Sequence, residues 1–194
     1  SEQPSLKKIR KLDNQLWAEQ VVAFLEQVID TNKYGKAVLI GNSLGSLTAL
    51  TTLFLKPELV SAVVASPLPD PAFMQKNNYQ GPRWLEKLSK YLIKIFFYLV
   101  PLEIFVPLIA HTMLIKIALQ GAYYRSIRFD RALNHIVAKP AKKRNAARAL
   151  RLMCIGMSTR SKDITAPVLL EQLSRRKSLS SILLIWGEQD KLVP

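Results

Sequence analysis

Apolar positions recur along this chain at two different periods, and the change of period divides it. From Asp13 or Asn14 as N-cap, Trp17, Val21, Phe24, Leu25 and Val28 fall at helical spacing, and residues 32–35 stop the helix. Residues 37–40 form an apolar run short enough for a buried strand. A helical pattern resumes directly afterwards, over about 44–56, and ends before Pro57, with Lys56 suited to the negative end of the helix dipole. Residues 59–65 read as a second buried strand. Strand, helix and strand over 37–65 predict a βαβ unit, and so a parallel sheet with a right-handed crossover.

The rhythm breaks at Pro67, Pro69 and Pro71, three prolines in five residues, which continue neither sheet nor helix and mark a boundary. Residues 72–165 contain no obvious strand. Over 83–99, Trp84, Leu85, Leu88, Leu92, Ile95, Phe96 and Leu99 share one broad face, while Lys87, Lys90 and Lys94 share another. A second apolar stretch, 102–119, is interrupted by Pro107, and a third helix is expected over 141–157, basic early and apolar later. The apolar block meets Lys94, Pro101, Glu103, Pro107, His111 and Lys116, so no window qualifies cleanly as a membrane span. A helical insert packed over the sheet is the expectation. Residues 165–176 then read as a helix, and 181–186 as an apolar strand running into Gly187-Glu188-Gln189-Asp190. The resulting division is core over 1–69, helical insert over 70–165 and core again over 166–194.

Charge changes the picture of the insert. The chain has 194 residues, 49% hydrophobic and 22% charged, enough for one domain with a real core and not the composition of a disordered segment. Its 28 Lys and Arg face 14 Asp and Glu, a net +14, and residues 70–165 hold 17 of the basic residues against 5 acidic ones. Basic amphipathic helices of this kind can lie on an anionic membrane surface; lysines can equally solvate the outer face of an insert. Nucleic-acid binding is not expected, because no recognisable motif accompanies the charge. Lys7, Lys8, Arg10 and Lys11 read as a solvated linker. One cysteine, Cys154, rules out an internal disulfide and suits a reducing, cytoplasmic setting. No starting Met and no signal pattern open the chain, which reads as an internal piece of a longer protein.

The candidate chemistry lies between the first strand and the helix after it, in Gly41-Asn42-Ser43-Leu44-Gly45. Gly-x-Ser-x-Gly at a strand-to-helix turn is the nucleophile elbow pattern. The turn lifts the serine hydroxyl above the sheet, and the helix N-terminus sets backbone N–H groups beside a developing oxyanion. Strand and helix pass close beneath the serine, so side chains at 41 and 45 are expected to clash, and glycine fits both places. Asp190, in the loop after a buried parallel strand, stands at the carboxyl edge of the sheet, where the ligands and catalytic groups of open α/β folds gather.

On these residues the chain resembles the α/β-hydrolases over nearly all of its length. The elbow is similar to that of the branch containing pheophytinase-like and C–C bond hydrolases, where Asn often precedes the serine. Lys56-Pro57-Glu58-Leu59-Val60 resembles the end of the helix after the elbow, and Trp186-Gly187-Glu188-Gln189-Asp190 with Val193-Pro194 resembles the acid loop. The helical insert occupies the family's cap position. The Pro-Leu-Pro-Asp-Pro run is most similar to uncharacterised cyanobacterial and plastid hydrolases, which implies such a setting. The resemblance implies a partial α/β-hydrolase fold, with Ser43 as nucleophile, Asp190 as the acid orienting a histidine, and the Leu44 backbone N–H as one oxyanion donor. No spacing of His, Cys or carboxylates suggests a metal site and no Gly-rich loop would cradle a phosphate, so no metal and no cofactor are expected. Ser46 stands where many relatives have another glycine, a mild departure.

The triad of this family runs serine, acid, histidine, so the histidine should follow Asp190, and none does within these 194 residues. The first strands and the loop giving the second oxyanion donor would precede Ser1. The segment alone is therefore expected to be inactive, and poorly soluble because a partial sheet exposes apolar edges. His111 and His135, the only histidines, precede Asp190 and read as insert or core residues. Asp70, just after the second strand, is a second candidate acid; its plain reading is a turn aspartate. Cys154 reads as a small buried residue. The expected activity is hydrolysis of an ester or related acyl bond in a hydrophobic substrate, such as a lipid or pigment ester. Two alternatives stay open: a C–C bond hydrolase or haloperoxidase-like enzyme, and a non-catalytic protein that binds a membrane surface.

Overall fold

The computed structural model describes residues 11–70, 83–111, 116–117, 120–121, 127, 130–176 and 180–190. Lys7, Lys8, Arg10, Pro71 and Val193-Pro194 lie outside the described residues. Helix α1 spans Asn14–Gln27, and its N-cap is Asp13, whose carboxylate accepts from the Gln15 and Leu16 N–H groups. Asn14 has a different task. Buried, it donates from its side-chain amide to Thr51 Oγ1 at 2.8 Å and to the Ile164 carbonyl at 2.9 Å, joining α1 to two distant parts of the chain.

A short helix α2 (Thr31–Tyr34) leads into β1 (Ala37–Asn42), α3 (Leu44–Leu55) and β2 (Val60–Ser66). Strands β1 and β2 pair in parallel, with Leu39 opposite Val63 and Gly41 opposite Ala65, as the βαβ reading requires. Strand β3 (Ser181–Leu184) adds to the other side of β2, also parallel, in the order β1-β2-β3. The Ile185 N–H extends the pairing to the Ala65 carbonyl at 2.9 Å.

The core lies on one face of this sheet. Leu47, Leu50 and Leu53 of α3 meet Val60 and Val63 of β2, Leu25 of α1, and Leu169 and Leu173 of α8 (Ala166–Arg175). Each such leucine contributes about 1.5–3 kcal/mol through burial. Strand alternation sends Val38, Ile40 and Leu183 to the opposite face, where they are exposed, Ile40 at 80%. The exposed apolar surface expected of a partial sheet is thus a face rather than only an edge.

Between β2 and α8 lie α4 (Arg83–Leu99), α5 (Leu102–His111), α6 (Arg131–Ala141) and α7 (Ala146–Ser158), and no strand is found there among the described residues. Pro107 sits inside α5 without ending it. The single helix expected over 141–157 is corrected: α7 begins at Ala146, and α6 precedes it. Asp130 starts α6 by accepting the Leu133 N–H at 2.8 Å, and Pro140 falls in its last turn, one residue before its end.

Among the described residues, helices α4 and α5 pack chiefly on α7, with few contacts or none to the sheet, which departs from the expectation of an insert packed over it. Arg151 of α7 holds the junction of α4 and α5, donating to the Phe97 and Val100 carbonyls at 2.8 and 3.0 Å and pairing with Glu103. That hydrogen bond holds the Glu103 carboxyl below the usual carboxylate range. The far end of α7 fastens this helical block to the core. A Cβ on Gly156 would lie 2.3 Å from the Leu12 carbonyl oxygen, and Lys11 Nζ donates to the Thr159 carbonyl at 2.7 Å.

Candidate active site

Ser43 joins β1 to α3, and it is the one non-glycine described residue with positive φ, at φ 55° and ψ −122°. Such backbone costs of the order of 1–3 kcal/mol and persists only where its surroundings over-determine it. It occupies the N-cap position of α3, yet its side chain makes no capping hydrogen bond. A serine at an N-cap ordinarily accepts from the first turn, so the strained turn gives up a stabilising bond and leaves the hydroxyl aimed elsewhere. The Leu44 N–H, in the first turn of α3, has no acceptor within the helix and lies at its positive end. Asn42 is the last, exposed residue of β1, with its Cα opposite Ser66.

What holds the turn is beneath it. A Cβ on Gly41 would lie 2.4 Å from the Gly45 carbonyl oxygen and 2.5 Å from the Ser46 nitrogen, backbone atoms that have nowhere to go. Gly45 differs from expectation: a Cβ there would meet nothing within 4 Å, because that position faces outward from the first turn of α3. Gly41→Ala is expected to cost about 3 kcal/mol or more, at the upper end of overpacking effects. Gly45→Ala is expected to be neutral, or stabilising by up to about 1 kcal/mol from helix propensity. Urea unfolding midpoints of the two variants check this; equal losses would contradict it.

Ser46 looked incidental in the sequence and is not. Its hydroxyl, fully buried, donates to the Gly41 carbonyl at 2.9 Å and accepts the Ser66 N–H at 2.9 Å. The Ser43 N–H also reaches β2, donating to the Ser66 carbonyl at 3.1 Å. One side chain thus ties the entry of α3 to the ends of both strands. Ser46→Ala strands a buried N–H, and a loss of about 1–3 kcal/mol is expected in the same unfolding measurement.

Asp190 lies beyond β3, in a turn where its N–H donates to the Gly187 carbonyl at 3.0 Å, and it is half-buried. Ser43 and Asp190 therefore follow the first and third strands of one parallel sheet, both on the side of its carboxyl ends. His135 is exposed on α6, and His111 is the last residue of α5.

Asp70 is engaged in structure. It is buried, one oxygen 2.6 Å from Arg160 Nη2 and the other accepting the Ala166 N–H at 2.7 Å at the start of α8. Burial raises the Cys154 thiol above its ordinary range, away from the reactive thiolate. Among the described residues no group of three His, Cys, Asp or Glu side chains is placed to hold a metal ion.

The family model described as alpha/beta hydrolase fold matches residues 10–194. No curated protein and no solved structure gave a match.

Proposed function

Because the chain belongs to the alpha/beta hydrolase fold family, we propose that it is a serine hydrolase acting on an ester or related acyl bond. The observation that carries this reading is the backbone of Ser43. A positive-φ serine at a strand-to-helix turn, with Gly41 packed against the helix start and no capping bond on the hydroxyl, is costly without a chemical purpose.

Ser43 Oγ attacks the substrate carbonyl and gives its proton to a histidine, which the family's order places after Asp190. Asp190 fixes the tautomer of that histidine and stabilises it once charged. The Leu44 N–H donates to the oxyanion of the tetrahedral intermediate. Collapse of that intermediate breaks the ester bond, and the histidine returns its proton to the departing alcohol. Water, activated by the same histidine, then attacks the acyl-serine and releases the acid, restoring Ser43. The residues between the two parts of the core, 70–165, act as a cap, and their Leu, Ile and Phe content favours a hydrophobic acyl chain or alcohol.

Hydrolysis of p-nitrophenyl esters of increasing acyl length by the full-length protein tests this. The reading expects kcat/KM to rise with chain length, by several-fold for each two carbons while the chain finds apolar surface. Failure to hydrolyse any ester in the series would contradict it.

A further inference from the structure

We propose that α4 and α5 form an interfacial hairpin by which the protein docks on an anionic lipid bilayer. This inference rests on surface chemistry alone and is independent of the role assigned to Ser43. The apolar face of α4 is turned outward: Trp84, Leu88, Tyr91, Leu92, Ile95 and Leu99 are all exposed, Trp84 at 61% and Leu99 at 76%. At 3.6 residues per turn these six fall within about 100° of arc, so they form one continuous stripe. Lys87 and Lys94, both exposed, run along one border of it. Helix α5 continues the surface with Ile104, Phe105 and Leu108, also exposed.

Helices used only to close a core turn such a stripe inward. Here α7 takes the other side of α4 and α5, and Arg151 neutralises Glu103, the one acidic residue of α5, at their junction. The apolar stretches Lys87–Leu99 and Leu102–Ile109 are together apolar enough to enter a bilayer but are bent by 60° at their break. No single described helix is long and apolar enough to cross a membrane. A bent apolar pair with lysines beside it matches a helix lying in the headgroup boundary: aliphatic and aromatic side chains enter the acyl edge, and the lysine stems carry their ammonium groups back to the phosphates. Trp84 and Tyr91 have the amphipathic rings favoured at that depth. A second copy of the chain is a poorer occupant, since pairing stripe on stripe would bring the lysine rows of both copies together. An anionic lipid surface complements them, and it also complements a chain of net charge +14.

The test is co-sedimentation of the full-length protein with unilamellar vesicles of phosphatidylcholine, with and without about 30% phosphatidylglycerol. Binding is expected only with phosphatidylglycerol present, and to be largely lost in about 0.5 M NaCl, where screening shortens the reach of the lysines. Lys87→Gln with Lys94→Gln is expected to weaken partitioning about 25-fold, at about fivefold per lysine. Leu88→Glu with Leu92→Glu should abolish binding while leaving the far-ultraviolet circular dichroism unchanged, since both positions are exposed. Ile40→Lys, on the open face of the sheet, should bind as the wild type does. The proposal is overturned if the wild type fails to partition at low salt, or if the Leu88/Leu92 variant binds as well as it does. Loss of binding in Ile40→Lys alone would assign the contact to the sheet face instead. A dimer in sedimentation velocity that the Leu88/Leu92 variant dissociates would likewise overturn it.

Discussion

Ester turnover by the full-length protein is expected to fall by about 10⁴- to 10⁶-fold when Ser43 is replaced by alanine, the range seen when a nucleophile is removed from a cooperating triad. Stability should hardly change. The Ser43 hydroxyl makes no capping bond, so its removal strands no partner, and the Ser46 clamp on Gly41 and Ser66 is untouched. Alanine inherits the same positive φ and the same strain. The combination separates chemistry from architecture: Ser43→Ala loses activity and keeps its fold, whereas Ser46→Ala, three residues on, loses stability first. Kinetics on an activated ester and urea unfolding, run on both variants, check the pattern. An Ser43→Ala enzyme retaining a tenth of wild-type turnover would contradict it.

The largest stability effect is expected at Asp70. Its carboxylate and the Arg160 guanidinium are both buried, at 0% and 8% side-chain exposure, and the second oxygen accepts the Ala166 N–H that opens α8. Asp70→Ala leaves a buried cation without its counter-ion and a helix start without its acceptor. Breaking such a pair from one side costs about 3–5 kcal/mol, far more than the pair itself is worth. The double variant Asp70→Asn with Arg160→Met should recover much of that loss, because it removes the stranded charge as well. Urea midpoints for the singles and the double measure the coupling. A loss below about 1 kcal/mol in Asp70→Ala would contradict the structural role, as surface substitutions usually give no more than that.

The parts of this fold that a reader of the sequence can find are those made by local pattern. Residues 37–40 and 59–65 are short apolar runs separated by a helix, which leaves little room for anything but a βαβ unit, and β1, α3 and β2 follow it closely. The strained turn at Ser43 is legible for the same reason, since Gly41 and Ser43 sit at fixed offsets in it. Contacts between distant residues were not legible. Asp70 and Arg160 stand 90 positions apart, and Asn14 reaches Ile164 across 150. Ser46 passed as a neutral helix residue because its two partners, Gly41 and Ser66, become neighbours only when the sheet forms. Gly45 misled in the opposite way: the spacing suggests a crowded site, but the position faces outward. The stripe on α4 is legible and what it meets is not, since periodicity says which residues face together and not what they face.

The central claim, that Ser43 is an activated nucleophile, is tested most directly by treating the full-length protein with a fluorophosphonate and mapping the adduct by peptide mass spectrometry. The account predicts one adduct, on Ser43, lost when Asp190 is replaced by alanine and the histidine is left unoriented. A folded, ester-cleaving protein with no adduct, or with its adduct on another residue, would contradict it.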